Sequence, residues 1–389
     1  MQGLRTWIEI DKKALNHNLK EFLNLIPKQT RLMAVIKSNA YGHGLAQVAK
    51  QLANNQLLVT SNRQLWFGVD SIVEGLRLRR EGIKNPILVL GSTLPSRIKE
   101  AAENNIILTV SNFESLSSLI RANKRTAFHL KIDTGMHRQG FLPENIPLLI
   151  KNLKSRGINP NGVYTHFASA KDAAYPTYTL TQLSKFNKTI VELRKAGFRG
   201  FLKHAAASGG VILFPESHLD MVRIGMGLYG YWPSSEAKLG VSLRKLKIKN
   251  EKLKTVELKP VLTWKTIISE IKEIPKGSYV GYDLAEKVYK KTKIAVLPIG
   301  YWHGYDRGLS GIGEILIRGR RARVLGRVSM DMIIADATDI KNVKVGDEAV
   351  LIGRQGGGEI WADELALKIG TSQYEILTRI NPLIRRVSK

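Results

Sequence analysis

Short apolar segments rich in β-forming residues alternate with amphipathic segments from about residue 31 to residue 230. Eight of these segments have the length and composition of strands: RLMAVIKS, LWFGVD, PILVLG, NIILTVS, AFHLKID, NGVYTHF, FLKHAAA and DMVRIGMG. Segments between them, such as GLAQVAKQLANN, place apolar residues at helical spacing. Eight strands that alternate with helices predict a (β/α)8 barrel of the TIM type, with a doubly wound sheet as the alternative.

The sequence pattern changes after residue 230. Segments such as VLTWKTIISEIKEIPKGSYVGYD, KIAVLPIGYW and KVGDEAVLIGRQ are typical of strands joined by turns, with little helix between them. We therefore expect a barrel domain over residues 10–240 and a mostly β domain over residues 241–389, to which the amino-terminal strand at residues 1–9 is added. Pairing of that strand, in RTWIEID, with the barrel is the other option.

The composition excludes several classes of site. The 389 residues are 43% hydrophobic, which is ample for a buried core, and they include no cysteine. Disulfides, thiolate metal sites and a cysteine nucleophile are therefore excluded, and we predict no metal. The start of the chain lacks a signal peptide, and no segment has the roughly 18 apolar residues of a membrane span. These features predict a cytoplasmic protein.

The net charge of +27 is unusually high. A charge of this size attracts nucleic acid and anionic surfaces without specificity. The basic residues are dispersed, and no zinc-finger or RNP pattern is present, so we expect no specific nucleic-acid partner. The densest run, LRKLKIKNEKLKTVELK at residues 243–259, alternates basic and apolar residues. We interpret it as a strand with one solvated face, with binding to an anionic partner as the alternative.

Polar residues follow five of the predicted barrel strands. In a barrel, the carboxyl ends of the strands form one rim, where catalytic groups gather. A lysine amine at this rim can form an imine with an aldehyde, and the small residues of AASGG and RIGMG after strands seven and eight are typical of a barrel phosphate site. The residues at the rim are Lys37, Arg138, His166, Ser208 and Arg223.

The stretch AVIKSNAYGHG resembles the cofactor-lysine motif of the alanine racemases. Further motifs follow in the order of that family and extend over nearly the whole chain: KIDTGMHRQGF, YTHFASA, HAAASGG, MVRIGMGLYG, GYDL, LPIGYWHGYDRGLS, GRVSMDM and YEILTRI. The resemblance implies a (β/α)8 barrel with a carboxyl-terminal β domain. It also implies a pyridoxal 5′-phosphate imine and a homodimer with shared active sites.

The resemblance assigns cofactor contacts to residues that match the motifs. Lys37 is expected to hold the cofactor and to act as a catalytic base, Arg223 to face the pyridine nitrogen, and His166 to hydrogen-bond Arg223. A permanently charged guanidinium leaves that nitrogen unprotonated, which should suppress transamination and decarboxylation. The expected phosphate contacts are Tyr41, Ser208, Gly225, Met226 and Tyr374, with core packing as the alternative for Tyr374.

Other matched residues are expected to lie near the substrate. Arg138 corresponds to a residue beside the substrate carboxylate, Met330 to a backbone-amide contact with that carboxylate, and Tyr301 to part of the substrate entrance. Lys131 is predicted to point into the barrel, where a charged amine is costly. The matching lysine of the family is often carbamylated, and an unmodified lysine bound to Asp133 is the alternative.

Tyr282 corresponds to the second catalytic base of the family. The family usually has serine, tyrosine and glycine where this chain has Gly281, Tyr282 and Asp283. Tyr279 is therefore an alternative, but the spacing to Tyr301 favours Tyr282.

The expected function is the interconversion of L-alanine and D-alanine by two bases, which supplies D-alanine for peptidoglycan synthesis. A broad-specificity or serine racemase of the same fold is the alternative, because one methylene group changes binding by only about 1–3 kcal/mol. Trp302 and His303 replace a small residue and an aspartate near the entrance, which leaves the substrate range open. An amino-acid decarboxylase would need a different phosphate loop and usually a late cysteine, which this chain lacks.

Overall fold

The computed structural model describes residues 3–60, 63–122, 126–172, 174–247 and 256–389, without the side chains of residues 59–60 and 243–247. The chain separates into two compact units. The barrel unit comprises residues 16–40 and 45–259, and the β unit comprises residues 1–15, 41–44 and 260–389. The domain boundaries expected from the sequence, at residues 10–240 and 241–389, stay a prediction.

The first strand, β1 (Thr6–Ile10), belongs to the β unit, and the next eight strands form the barrel. Each of the eight lies within one of the segments predicted to be a strand. They are β2 (Arg31–Val35), β3 (Leu65–Val69), β4 (Ile87–Val89), β5 (Ile106–Val110), β6 (Phe128–Lys131), β7 (Gly162–Tyr164), β8 (Leu202–His204) and β9 (Met221–Ile224).

The eight strands are parallel, and each pairs with its neighbour in sequence from β2 to β8. The last strand, β9, pairs with β2, so that Leu32 lies opposite Val222. An isolated parallel bridge between Ala207 and Arg223 connects the remaining edge. Because the first and last of these eight strands, β2 and β9, pair with each other, the sheet is a nearly closed barrel and not an open doubly wound sheet. The predicted fold class is confirmed.

Helices cover the segments between the barrel strands because their apolar residues recur at helical spacing. The longest, Thr177–Lys195, buries Leu183, Phe186, Ile190 and Leu193 along one face. Helices of the described residues that begin before residue 260 are Lys12–Leu25, Leu45–Ala53, Gln56–Thr60, Ile72–Arg80, Ile98–Glu103, Phe113–Ala122, Ile146–Arg156, Thr177–Lys195, Ser208–Leu213 and Ser235–Lys247. Among all the described residues, no helix is both long enough and apolar enough to span a membrane.

Apolar side chains from several strands fill the barrel interior. Met33, Trp66, Leu88 and Met221, from β2, β3, β4 and β9, form one buried cluster. Strands covered on both faces need such continuous apolar runs. The buried His129, His204 and Arg223 are polar exceptions on β6, β8 and β9.

The β unit is mostly strand, as predicted for the carboxyl-terminal domain. Its further strands are β10 (Leu262–Ile267), β11 (Glu270–Ile274), β12 (Tyr279–Val280), β13 (Glu286–Lys287), β14 (Thr292–Leu297), β15 (Glu314–Ile317), β16 (Arg320–Leu325), β17 (Ile333–Asp336), β18 (Glu348–Gln355), β19 (Gly358–Ile360) and β20 (Arg386–Ser388), and its later α-helices are Ala362–Lys368 and Gln373–Thr378. The main sheet has the order β11-β14-β17-β16-β15-β18-β10-β1-β20, with β19 paired to β18, and β12 and β13 form a separate hairpin. The strand β1 pairs with β10 and β20, so RTWIEID extends this sheet.

The prediction of a strand over the basic run at residues 243–259 is wrong for the part of this run that the structure describes. Residues 243–247 complete the helix Ser235–Lys247, and residues 256–259 lie outside any strand. Residues 248–255 lie outside the described residues. Leu239, Leu243 and Leu246 have helical spacing, so the alternation of basic and apolar residues continues a helix that has already begun.

Candidate active site

The predicted rim residues of the barrel unit all lie at the carboxyl ends of parallel strands. Lys37 follows β2, Arg138 follows β6, His166 follows β7, Ser208 follows β8, and Arg223 is on β9. Burial, together with the positive charges of Arg223, Arg138, Lys131 and Lys37, lowers the pKa of His166 to about 3. This electrostatic coupling places several cations around one part of the rim.

Arg223 is buried and has hydrogen-bond acceptors on both terminal nitrogens. Nη1 lies 2.9 Å from Nδ1 of His204. Nη2 donates to the carbonyl oxygens of Thr165 and Ala205, both at 2.8 Å, and lies 3.2 Å from Nδ1 of His166, the contact expected from the sequence. Among the described residues, nothing accepts a hydrogen bond from Nε. The guanidinium is therefore fixed in the barrel, and its Nε–H is available to a ligand.

The contacts of Arg223 fix the tautomer of His204. Arginine only donates hydrogen bonds, so Nδ1 of His204 must accept and its proton must be on Nε2. That N–H donates to Nδ1 of His129, 2.9 Å away, which places the proton of His129 on Nε2. Burial lowers the pKa of His129 to about 3 and that of His204 well below its ordinary value, and the charge of Arg223 adds to both effects. Both rings are neutral at pH 7.

Arg223 keeps its charge although it is deeply buried. Burial lowers its pKa to about 10, which is still well above neutral pH. The ring of Tyr164 stacks on His204 at 4.7 Å between centroids, and the guanidinium carbon lies 5.3 Å from the centre of the Tyr164 ring. These contacts hold a permanent cation that has no buried carboxylate partner among the described residues.

Lys37 begins an unusual backbone segment. Ser38, Asn39 and Ala40 have φ of 55°, 55° and 53°, which is the left-handed region that non-glycine residues rarely adopt. At roughly 1–2 kcal/mol for each residue, this turn is stable only if its surroundings hold it. The Lys37 amine lies 3.3 Å from Oδ1 of Asp70, in a pair exposed to solvent.

The loops after β8 and β9 meet at Ser208. Its buried Oγ accepts hydrogen bonds from the backbone N–H groups of Gly225 at 3.2 Å and Gly227 at 3.4 Å. A Cβ atom at Gly227 would lie 2.3 Å from the ring of Phe22 and 3.3 Å from Oγ of Ser208. The approach of the two loops therefore requires glycine, and it brings a hydroxyl together with backbone amides.

Lys131 is buried as predicted, but its observed partner is different. Its amine donates to Oε1 of Gln139 at 3.2 Å, and no ion pair joins it to Asp133 among the described residues. The Asp133 carboxylate instead accepts the four backbone N–H groups of residues 135–138. Burial, with the charges of Arg138 and Arg223, lowers the pKa of Lys131 to about 8. The alternative of a lysine bound to Asp133 is therefore not the arrangement observed.

Tyr282, in the β unit, is 69% exposed and follows the short strand β12. Asp283 has φ of 63°, so it adopts a left-handed conformation at the position where the family usually has glycine. Its carboxylate pairs with Nε of Arg327 at 3.0 Å. The ring of Tyr279 lies against the Lys287 amine at 5.5 Å, which leaves Tyr282 as the more accessible tyrosine.

Tyr301 and Met330 come together in the β unit. The N–H of Tyr301 donates to the carbonyl of Ser329 and that of Trp302 to the carbonyl of Met330, both at 3.0 Å. Both Tyr301 and Met330 are exposed, and among the described residues nothing accepts from the Met330 N–H.

Tyr41 and Tyr374 also meet in the β unit. Their rings lie edge to face at 6.0 Å between centroids. Burial raises the pKa of Tyr374. The structure thus brings together the two tyrosines expected to contact phosphate.

Comparison with protein families identifies the chain. The model described as "Alanine racemase, N-terminal domain" matches residues 10–233, and that described as "Alanine racemase, C-terminal domain" matches residues 261–388. The chain belongs to the alanine racemase family.

Several alanine racemases match this chain over nearly its full length. The alanine racemase of Leptospira interrogans is 38% identical over 387 residues, which are 98% of this chain and 95% of that protein. The alanine racemase of Halothermothrix orenii is 39% identical over 389 residues, 99% and 97% of the two chains. The structure of the alanine racemase of Clostridium difficile has a TM-score of 0.88 at 32% identity and covers 100% of this chain and 97% of that chain. A structure from Bacillus anthracis with bound L-Ala-P has a TM-score of 0.87 at 32% identity, over 99% and 95% of the chains.

The family depends on pyridoxal phosphate, and the barrel rim has the groups to bind it. Lys37 supplies an amine for its aldehyde. Ser208 and the neighbouring backbone amides suit a phosphate, and the unpartnered Nε of Arg223 suits a ring nitrogen that accepts a hydrogen bond. The donors are hydroxyl, amide and cationic groups, as an anionic cofactor requires.

Several residues that contact the site were missed in the sequence. His204 ends a barrel strand, so the rule that predicted the other rim residues could have found it. Asp70 ends another strand, and Glu74 stands three residues after Ser71, which is the pattern of a capping box. Gln139 has no sequence signal of this kind, because its contact with Lys131 depends on how the loop folds back.

Proposed function

We propose that this chain interconverts L-alanine and D-alanine in the cytoplasm, as a homodimer with shared active sites, and so supplies D-alanine for peptidoglycan synthesis. The observation that carries the proposal is the buried Arg223, whose terminal nitrogens both contact acceptors while Nε faces no described acceptor. Full-length relatives named alanine racemase support the substrate. When bound, pyridoxal phosphate withdraws electrons from Cα of the amino acid and makes its proton acidic.

Arg223 sets which reaction is favoured. Its guanidinium stays charged at pH 7, so it would donate a hydrogen bond to the ring nitrogen, whose lone pair would then accept this bond and carry no proton. An unprotonated ring withdraws electrons less strongly than a protonated one. This limits the side reactions that need extended delocalisation, while removal and return of a proton at Cα remain possible.

Racemisation needs a proton to leave one face of Cα and another to reach the opposite face. We propose that the Lys37 amine serves one face and the Tyr282 hydroxyl serves the other. Lys37 belongs to the barrel unit and Tyr282 to the β unit. The 69% exposure of Tyr282 supports a role at the surface of a second subunit, and we assign it to the active site of the partner.

The remaining predicted residues bind substrate and cofactor in this proposal. Arg138 and the N–H of Met330 bind the substrate carboxylate, and Tyr301 lines the entrance. The cofactor phosphate is held by Tyr41, Ser208, Gly225, Met226 and Tyr374.

We further propose that Lys131 is carbamylated. Its lowered pKa leaves a substantial fraction of neutral amine near pH 8. The neutral nitrogen attacks carbon dioxide, a C–N bond forms, and a proton is released, so the product is an anion able to position Arg138. A ¹³C carbamate signal in bicarbonate-labelled protein, absent from Lys131→Ala, tests this assignment.

The function is tested with purified protein, pyridoxal phosphate and L-alanine, by chiral measurement of D-alanine. L-serine is assayed in parallel, because comparable rates would indicate a broad-specificity racemase. Borohydride reduction followed by peptide mapping should place the cofactor on Lys37, and Lys37→Ala should be inactive. Cofactor fixed on another lysine, or no D-alanine from loaded protein, contradicts the proposal.

A further inference from the structure

The Glu74 carboxylate connects two loops of the barrel rim. Oε1 accepts the backbone N–H of Ser38 at 2.6 Å and that of Asn39 at 3.4 Å. Oε2 accepts the backbone N–H of Asp70 at 2.8 Å. One side chain therefore ties the left-handed turn after Lys37 to the end of β3.

These contacts are not those of an ordinary helix cap. Ser71 is the N-cap of the helix Ile72–Arg80, and its hydroxyl accepts the N–H of Glu74. In a capping box the glutamate would return to the N–H of the cap residue itself. Here the carboxylate reaches one residue further back and across to the neighbouring loop. Its bonds with Ser38 and Asn39 therefore hold a tertiary arrangement.

The turn that Glu74 contacts determines where the Lys37 amine lies. Four successive non-glycine residues in the left-handed region, 38–41, are unstable alone, and they directly follow Lys37. Two other bonds help to hold the turn: Ala40 N–H to the carbonyl of Ile36 at 2.8 Å, and Leu45 N–H to Oδ1 of Asn39 at 3.0 Å. Neither reaches the backbone N–H groups of Ser38 and Asn39.

We propose that Glu74 is a positioning residue for Lys37, because its carboxylate holds the left-handed turn that directs the lysine amine toward the cofactor aldehyde. The inference rests on the proposed role of Lys37 as the cofactor lysine. Glu74 itself touches neither substrate nor cofactor in this assignment. It acts through the backbone of Ser38 and Asn39.

The experiment separates capture of the aldehyde from binding of the rest of the cofactor. Cofactor-free protein is mixed with pyridoxal phosphate, and borohydride fixation on Lys37 is followed with time. Affinity for pyridoxine 5′-phosphate is measured in parallel, since this compound has an alcohol in place of the aldehyde and cannot be captured by an amine. The variants are Glu74→Ala and Glu74→Gln, where the amide keeps the shape but only one acceptor.

Glu114→Gln is the matched control. Glu114 also lies in the first turn of a barrel helix, Phe113–Ala122, and its carboxylate has no hydrogen bond to a described residue. We expect Glu74→Ala to slow fixation about tenfold or more, Glu74→Gln to slow it less, and Glu114→Gln to leave it unchanged. Affinity for pyridoxine 5′-phosphate should stay within about twofold in all three, because most of the proposed phosphate contacts, including those on the loops after β8 and β9, lie outside the turn that Glu74 holds.

The outcomes distinguish this inference from the proposed function. If the unaltered protein is not fixed on Lys37, the proposed function fails. If it is fixed, and folded Glu74→Gln and Glu74→Ala react at the unaltered rate, only the role of Glu74 is wrong. An equal loss of pyridoxine 5′-phosphate affinity would also overturn the inference, because it would show general damage to the site. Should Glu74→Ala fail to fold, Glu74→Gln decides the result.

Discussion

Arg223 combines deep burial with a permanent charge. Its acceptors are two neutral histidine nitrogens and two carbonyl oxygens, so no carboxylate neutralises it. A buried cation of this kind is costly, and it persists because its terminal nitrogens lie within hydrogen-bond distance of four described acceptors. Burial, with the positive charge of Arg223, lowers the pKa of His166 and His204, so both rings are neutral and can accept from the arginine.

Replacing Arg223 should change the ratio of two reactions. In Arg223→Glu, a carboxylate would favour protonation of the ring nitrogen, so racemisation should fall about 100-fold while transamination to pyruvate rises relative to it. D-alanine and pyruvate are measured in the same reaction. Arg223→Lys keeps the positive charge and should keep the ratio, although it is slower. An unchanged ratio in the glutamate variant would show that residue 223 does not face the ring.

Lys131 predicts a pH dependence of stability. Its pKa is lowered from 10.5 to about 8 in the folded chain. Between these values the unfolded chain binds more protons than the folded chain, so the free energy of unfolding rises with pH. The full difference corresponds to roughly 3 kcal/mol.

The measurement compares unaltered protein with Lys131→Met in buffer free of carbon dioxide. The stability of the unaltered protein relative to the variant should rise by about 2 kcal/mol from pH 7 to pH 9.5. Lys188→Met, at an exposed position on the helix Thr177–Lys195, is the control and should show no such rise. A flat difference for Lys131→Met would contradict the lowered pKa.

At the scale of elements, the loops after β8 and β9 depend on their close approach. The helix Ser208–Leu213 and the short 3₁₀ turn Met226–Tyr229 start where these loops meet. The side chain of Ser208, after β8, joins the two loops by accepting hydrogen bonds from the backbone after β9. Packing therefore requires small residues at this position, where we also propose that the cofactor phosphate binds.

Gly227→Ala should damage this region in two measurable ways. The new Cβ would overlap the Phe22 ring, so we expect a loss of about 1–3 kcal/mol in the free energy of unfolding. The shift of the loop should also weaken pyridoxal phosphate binding, measured by titration of cofactor-free protein. Gly357→Ala is the control, because no atom lies within 4 Å of its added Cβ. Wild-type cofactor affinity in Gly227→Ala would show that the phosphate does not bind here.

At the scale of the whole molecule, the proposed bases lie in different units. Lys37→Ala and Tyr282→Ala should each be inactive as homodimers. If active sites are shared between subunits, a mixture that has dissociated and reassociated contains heterodimers with one site that has both bases. Activity should then return to about one quarter of the unaltered level, because half of the dimers are mixed and each has one complete site.

The complementation experiment needs evidence that heterodimers formed. Two different affinity tags, purified in series, isolate the mixed dimers. Activity in that fraction supports shared sites. An inactive fraction of pure heterodimers would show that both bases belong to one chain, and the proposed architecture would be wrong.

The architecture of both regions follows from patterns in the amino-acid sequence. Alternation of apolar strands with amphipathic helices is a local property, and eight such repeats leave few arrangements that bury every strand. The same reasoning predicted that Lys37, Arg138, His166, Ser208 and Arg223 share one rim, since parallel strands end on one side. Family motifs then added roles that spacing alone could not give.

The side chains that meet across that rim are visible only in the folded chain. Glu74 reaches the turn after Lys37, His204 and His129 continue from Arg223, and Gln139 replaces Asp133 as the partner of Lys131. Such contacts depend on strand register and side-chain direction between residues far apart in the chain, or on how a loop folds back. Local periodicity records neither, and for the same reason the basic run after residue 242 was mistaken for a strand.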